Sequence, residues 1–318
     1  MKVTFWGTRG SIPVSLDFKN VRRKVAGALL KASGRTFENA DAVEAFIDSE
    51  LTFPEYGSFG GNTSCVEIDA ASPEFLLCDL GSGVRPFGMS VLARHGMAPQ
   101  TYHVLMSHLH WDHVMGFPFL VPAYVPGNVI HIYGCHDDLE KTFRRQQRGP
   151  NFPVEFNHLA AKIHFHQMVP GEARVICGCR VTPILQIHGN DSYGYRVEKE
   201  GKVVVYSTDS EHKLGNPSEI ERFSDFFRDA DLVIFDSQYS LAETVMMKED
   251  WGHSSNVVGV ELCQLAKAKR LALFHHDPLH DDFRIQALLE ETRRLEEITR
   301  PDAPLEVIAA YDGLTVEL

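Results

Sequence analysis

The sequence predicts a mixed α/β protein whose sheets combine parallel and antiparallel pairing. Short β-rich runs alternate with helical stretches along the chain. Several strand candidates follow one another with no helix between them, which argues against a purely parallel sheet. The 318 residues are 44% hydrophobic, enough to bury a substantial core and to exclude an intrinsically disordered chain.

The first strand is expected at residues 3–6 (Val3, Thr4, Phe5, Trp6). Residues 16–56 have a different character. Lys19, Arg22, Arg23 and Lys24 precede an acidic stretch through Glu38, Asp41, Glu44 and Asp48, with Ala, Leu and Phe at helical intervals. This segment reads as two helices inserted before the turn Gly60-Gly61-Asn62. Further strands are expected at 64–68, 75–78, 103–106 and 129–133, and later at 180–187, 193–198, 203–207, 232–235 and 271–274. Helical patterns cover 84–94, 138–147, 255–268 and 280–294, the last with apolar Phe283, Ala287, Leu288 and Leu295 against a charged remainder. No repeat, low-complexity tract or Ser/Gly/Pro-rich linker divides the chain, so a single domain over 1–318 with a helical insertion at 16–56 is expected.

Composition narrows the function. Lys and Arg total 31 against 43 Asp and Glu, a net charge of −12, and the densest basic cluster is only Arg144, Arg145 and Arg148. A surface of that sign repels nucleic-acid backbones. No apolar run reaches the roughly 18 residues of a membrane span. The start turns polar by Thr8-Arg9-Gly10, too early for a signal peptide, so a soluble, cytoplasmic protein is expected. The six cysteines contain no C-x-x-C pair, and even Cys177-Gly178-Cys179 reads as reduced, buried packing. Sixteen histidines are the informative excess, because histidine is the commonest metal ligand.

The strongest local signal is His108-Leu109-His110-Trp111-Asp112-His113, between an expected strand and an apolar stretch. Four potential ligands in six residues on such a loop can surround one pocket, and an N/O donor set suits zinc, manganese or iron. Further donors end later strands: His188 after 181–187, Asp209 after 203–207 and His275 after 271–274.

On these residues, together with Asp79 in Cys78-Asp79-Leu80-Gly81, the chain resembles the metallo-β-lactamase superfamily over nearly its whole length. The resemblance implies a four-layer αββα sandwich with mixed sheets and two divalent metal ions, zinc foremost, at one edge. His108, His110 and His188 would hold one ion, and Asp112, His113 and His275 the other. Asp209 would bridge them, and Asp79 would orient the histidine loop. The adjacent His276 leaves open which of the pair is the ligand; His275 is preferred because it directly ends the strand. Diiron-flavoprotein relatives have a carboxylate where His110 stands, and zinc β-lactamases a cysteine where Asp209 stands. Both activities are therefore disfavoured.

Trp251-Gly252-His253-Ser254-Ser255 resembles a segment of ribonuclease Z and related phosphodiesterases, in which the histidine protonates the leaving oxygen and pairs with an acid at a strand end. Here that acid would be Asp236; the alternative use of His253 and Ser254 is to cap the next helix. Gly7-Thr8-Arg9-Gly10-Ser11 and Gly60-Gly61-Asn62-Thr63-Ser64 resemble loops of the same branch, with donors able to face an anion or simply to turn the chain. His212, beside the Asp209 loop, is expected at the surface. Only residues 189–208 separate His188 from Asp209, which leaves no room for the long basic arm of transfer-RNA-processing members. The expectation is a dinuclear phosphodiesterase acting through a metal-bridging hydroxide on a small anionic diester, such as a cyclic nucleotide or cyclic phosphate. Transfer RNA and membranes are not expected partners, and residues 16–56 would cover the site or form a homodimer contact. A lactonase- or thioesterase-type hydrolase on the same metals, or a non-catalytic metal-binding accessory or sensor, are the competing readings.

Overall fold

The computed structural model describes residues 1–212, 215–240, 252–301 and 303–318. Its strands are β1 (Lys2–Gly7), β2 (Cys65–Asp69), β3 (Phe75–Cys78), β4 (Thr101–Leu105), β5 (Val129–Gly134), β6 (Lys162–Gln167) and β7 (Arg174–Ile176). They continue as β8 (Cys179–Gln186), β9 (Ser192–Lys199), β10 (Lys202–Ser207), β11 (Leu232–Asp236), β12 (Arg270–Phe274), β13 (Glu306–Ala309) and β14 (Thr315–Glu317). The helices are α1 (Phe18–Lys31), α2 (Ala40–Glu50), α3 (Phe53–Tyr56), α4 (Val84–His95), α5 (Trp111–Val114), α6 (Leu139–Gln146), α7 (Pro217–Phe227), α8 (Asn256–Leu265) and α9 (Asp282–Thr299).

The strands form two seven-stranded sheets, ordered β14-β1-β2-β3-β4-β5-β6 and β13-β12-β11-β10-β9-β8-β7. Each sheet is mixed: β3 to β6 and β10 to β13 pair in parallel, and the remaining neighbours antiparallel.

Period-2 alternation distributes the apolar residues among three layers. Leu76 and Cys78 face the layer between the sheets with Phe5, Tyr206, Ile234 and Phe274. Leu77 faces a second layer, with Val104, Ile130 and the α4 and α6 residues Phe87 and Phe143. Val233 and Phe235 face a third, with Phe223, Phe227, Val260, Ile285 and Leu289 from α7, α8 and α9. The result is helices, sheet, sheet, helices. β11 is buried along its length because both its faces are covered, which is why it reads as an unbroken apolar run.

The strands read from sequence are present within one or two residues at each end, and four more join them. β7 and β14 are too short to carry a pattern. β6 and β13 are strands only because each pairs in parallel with a neighbour distant in sequence. Not anticipated were the single turn α3, a third helix where residues 16–56 were read as two, and α7, whose signal was Pro217 at the first turn followed by Ile220, Phe223 and Phe227. The expected helix at 255–268 stops at Leu265, and Lys267 turns the chain with φ 55°. The expected helix at 280–294 starts two residues later and runs on to Thr299, because the Asp281 side chain caps it at the Arg284 amide. Within residues 16–56, α1 and α2 are capped in the same way by Asp17 and Asn39. Lys24 on α1 reaches the Pro54 and Gly57 carbonyls and forms an ion pair with Asp282 at 2.6 Å. Among the described residues, no helix is long and apolar enough to cross a membrane, and the six cysteines are free thiols, five buried and Cys135 half-buried.

Candidate metal centre

The candidate site residues sit where strands end. Asp79 follows β3, Asp209 lies two residues past β10, and His275 follows β12. All three take a left-handed backbone, with φ of 61°, 46° and 60°, a costly conformation for non-glycine residues that turns each side chain across the sheet edge. His108 and His110 lie on the loop after β4, and Asp112 and His113 on the single turn α5.

These side chains form two groups. His108, His110 and His188 make one, and Asp112, His113, Asp209 and His275 the other. In the first, His188 Nε2 is 3.1 Å from His110 Nδ1, and Asp209 Oδ2 is 3.6 Å from His108 Nε2 and 3.8 Å from His188 Nε2. In the second, His113 Nε2 and His275 Nε2 each lie 3.2–3.3 Å from Asp112 Oδ2 and Asp209 Oδ1. Tetrahedral ligands held about 2.0–2.1 Å from zinc stand about 3.3 Å apart, so the spacings within each group are compatible with a bound cation, and Asp209 lies within 4 Å of donors in both.

The donors also fit a cation chemically. His108 Nε2 and His113 Nε2 are buried and have no hydrogen-bond partner, and two imidazole nitrogens facing each other at 3.1 Å can share at most one proton. Burial, reinforced by the charge on His113, pushes His108 well below its ordinary pKa; burial and His188 lower His110. These rings are therefore neutral, as ligands must be. Burial opposes charge on His113 too, but Asp209, Asp112 and Asp79 hold its imidazolium well above the usual value. Burial alone would raise Asp112 and Asp209, yet the surrounding histidines keep both carboxyls well below the usual range. The carboxylates thus demand positive charge at the point where the ring nitrogens converge.

A polar frame holds the ligands. Asp79 Oδ2 accepts from His113 Nδ1 at 2.7 Å, from the Ser107 hydroxyl at 2.6 Å and from the Tyr206 hydroxyl at 2.8 Å, while Oδ1 accepts from the Ser107 amide. Asp79 therefore stands behind the ligand loop and commits His113 to presenting Nε2. His188 Nδ1 donates to the Gly252 carbonyl at 2.8 Å. Gly252 has φ 81°, and a Cβ there would stand 2.5 Å from His188 Nδ1; a Cβ on Gly10 would stand 2.5 Å from the His275 ring. His276 is not in the cluster: its Nε2 donates to the Ala310 carbonyl at 2.8 Å.

Beside the ligands, His253 Nδ1 lies 2.8 Å from Asp236 Oδ2 at the end of β11. The His253 ring stacks on His275 at 5.1 Å and meets His188 at 5.1 Å. Burial works against its charge, but Asp236, with Asp209 and Asp112 behind it, raises its pKa to about 9. His253 also stands within ligand reach of His188 and Asp209. Neither His253 nor Ser254 caps α8, whose N-cap is Ser255. Instead, the Ser254 hydroxyl donates to the Ser210 carbonyl and accepts from the His212 amide, pinning this loop to the Asp209 loop. Trp251 lies outside the described residues.

Two expectations are corrected. His212 is buried, packed on Phe223 and Phe235, because the turn after Asp209 runs inward beneath α7. The glycine-rich loops do present donors to anions, but these anions are the protein's own carboxylates. The Gly61 and Asn62 amides bind Asp312, and the Ser11 amide binds Asp112 at 2.7 Å. The Arg9 guanidinium is buried against the carbonyls of Gly60, Asp277 and His280. Ser107, Tyr206 and Asp312 went unread in the sequence, since single polar residues next to strands carry no signal of their partners.

Residues 77–276 match the beta-lactamase superfamily domain. The chain belongs to the metallo-β-lactamase superfamily. As a member it is a metal-dependent hydrolase, and its two mixed sheets between helices are the fold of that superfamily. Ribonuclease Z of Metallosphaera sedula is 26% identical over 267 residues, covering 69% of this chain and 84% of that one. Ribonuclease Z of Staphylococcus carnosus is 25% identical over 158 residues, about half the length of either chain. The crystal structure of the metallo-beta-lactamase fold protein YhfI from Bacillus subtilis superposes with a TM-score of 0.62 at 19% identity, covering 99% of this chain and 98% of that one.

Proposed function

We propose that this superfamily member is a dinuclear phosphodiesterase acting on a small phosphodiester such as a cyclic nucleotide or cyclic phosphate. The observation that carries the reading is the His253–Asp236 pair at 2.8 Å, stacked directly on the ligand His275. Hydrolysis of a diester expels an alkoxide, which needs a proton. Asp236 engages Nδ1, which leaves Nε2 as the nitrogen able to donate, and the surrounding carboxylates favour the imidazolium. A thiolate leaves without a proton whereas an alkoxide does not, so the pair favours an oxygen ester over a thioester, and the likeness to ribonucleases Z favours the phosphodiester over a lactone.

His108, His110, His188 and Asp209 would hold one divalent cation, and Asp112, His113, His275 and Asp209 the other, with zinc the ion best matched to this donor set. When bound, the cations supply Lewis-acid polarisation of the ester oxygens and a water of lowered pKa. Asp112 and Asp209 are the only carboxylates among these ligands, too few to neutralise two divalent ions, so an anionic ester remains attracted. Burial of Asp112, His113, Asp209 and His275 keeps bulk water from screening that attraction. Residues 192–207 are taken up by the tight β9–β10 hairpin, which leaves no arm to embrace an RNA between His188 and Asp209. That favours a compact diester over transfer RNA.

The test is hydrolysis of bis(p-nitrophenyl) phosphate by protein reconstituted separately with zinc and manganese, beside Asp209→Ala. Turnover abolished by the substitution supports the phosphodiesterase reading and opens a comparison of cyclic nucleotides. No turnover with both metal positions filled overturns it in favour of lactones and thioesters.

A further inference from the structure

A second group of histidines lies on the outer half of the first sheet. β4, β5 and β6 are parallel and in register, so His103, His131 and His164 stand side by side, with His166 two residues further along β6, opposite Tyr133. Alternation sends all of them to the face opposite Ile130, Ile132, Ile163 and Phe165, which pack towards the helices. The same face carries Tyr133 into the layer between the sheets, with the Arg174 guanidinium 5.3 Å above its ring. Beyond it, His131 and His166 are half-buried and His164 is exposed.

His131 Nδ1 and His166 Nε2 face each other at 2.9 Å. Two ligands in adjacent positions on one ion, each with a bond of about 2.0–2.1 Å, stand about 2.9–3.4 Å apart. The catalytic ligand trio supplies an internal standard: its ring centroids are 4.5, 4.9 and 5.0 Å apart. The His131 ring is 5.1 Å from His166 and 5.2 Å from His164. The third spacing, His164 to His166, is wider at 6.5 Å, so the exposed His164 side chain would have to turn towards the pair to complete a coordination shell. His103 is not a donor, because Glu74 engages its Nε2 and the Tyr133 hydroxyl its Nδ1. It stacks on His131 at 5.1 Å and 12°, fixing the plane of that ring. Burial and the facing histidines push His131 down to about 4, and burial with Arg174 lowers His166, so both nitrogen lone pairs are available at neutral pH.

We propose that His131 and His166, completed by His164, form a further site for a late first-row divalent cation such as zinc, separate from the catalytic ligands. A purely nitrogen donor set selects for such ions over magnesium or calcium. The competing account is a neutral hydrogen bond between the two rings. The whole protein is dialysed against chelator-buffered zinc at neutral pH and its metal content determined, for wild type, His131→Gln/His166→Gln and His164→Gln. The expected result is one more zinc per chain in the wild type than in the double variant, with the extra ion held more weakly in His164→Gln. Equal zinc content in wild type and a folded double variant overturns the proposal. If the double variant does not fold, the wild type decides: zinc content at saturation no greater than the catalytic pair overturns it equally. Unchanged binding in His164→Gln overturns the assignment of the third donor.

Discussion

Replacing His253 with alanine separates its two geometrically available uses. Two candidate donor groups form without it: His108, His110 and His188, with Asp209 Oδ2 3.6 and 3.8 Å from His108 and His188, and Asp112, His113, Asp209 and His275. A proton donor is worth about 10²–10⁴-fold in rate, or roughly 3–5 kcal/mol of barrier. That loss requires a leaving oxygen that needs the proton. His253→Ala is therefore expected to keep both metals, to lose turnover by about 10²-fold or more on diesters with alkyl leaving groups, and to lose little on nitrophenyl diesters, whose anions leave unaided. The assay is kcat against leaving-group basicity for wild type and variant, with metal content measured on the same samples. The wild-type rate on alkyl diesters should also fall as pH rises through the imidazolium pKa, because the acid is then deprotonated. Against burial, Asp236 raises that value to about 9, and cations at the candidate ligands would pull it lower, so the fall belongs at or below that pH and should be absent in the variant. Loss of a metal would make His253 a ligand instead. An equal loss on both substrate classes, with the metals retained, would refute the general-acid role.

The remaining expectations follow from the frame around the ligands. Asp79→Asn removes the carboxylate shared by His113, Ser107 and Tyr206 and should weaken metal affinity by about 10–100-fold in chelator competition. Gly252→Ala places a Cβ 2.5 Å from His188 Nδ1 at φ 81°; zinc titration should show the position built on His108, His110 and His188 weakened before the other. Phe143→Ala opens the layer between the first sheet and its helices, where Phe143 is fully buried and meets Phe117 at 4.9 Å. Its cost should be about 3–5 kcal/mol in denaturant unfolding, with the metal ligands intact.

Much of the architecture was legible because the central strands are buried on both faces. Runs such as Leu232 to Phe235 are continuously apolar for that reason, and punctuation by turn residues marks their ends. β6 and β13 were not legible, since parallel pairing joins residues far apart in sequence, and β7 and β14 are only three residues long. At the candidate site, the dense hexad and the donors at strand ends were readable because ligand chemistry restricts the residue types. The partners that orient them were not. Serine at 107, tyrosine at 206 and aspartate at 312 are ordinary residues until folding brings them to Asp79 or to the Gly60–Asn62 turn.

By itself, then, the sequence determined the mixed α/β class, the candidate donors at strand ends and the resemblance to the superfamily, because periodicity and residue identity are local properties of the chain. Only the tertiary structure decided that His275 rather than His276 joins the cluster of candidate donors, since neighbouring residues at a strand end point to opposite sides. It also decided that the donors of the glycine-rich loops answer internal carboxylates, and that His212 lies inside the protein. Those outcomes depend on which groups meet across the two sheets, and such meetings are set by packing and the demand that buried polar atoms be paired.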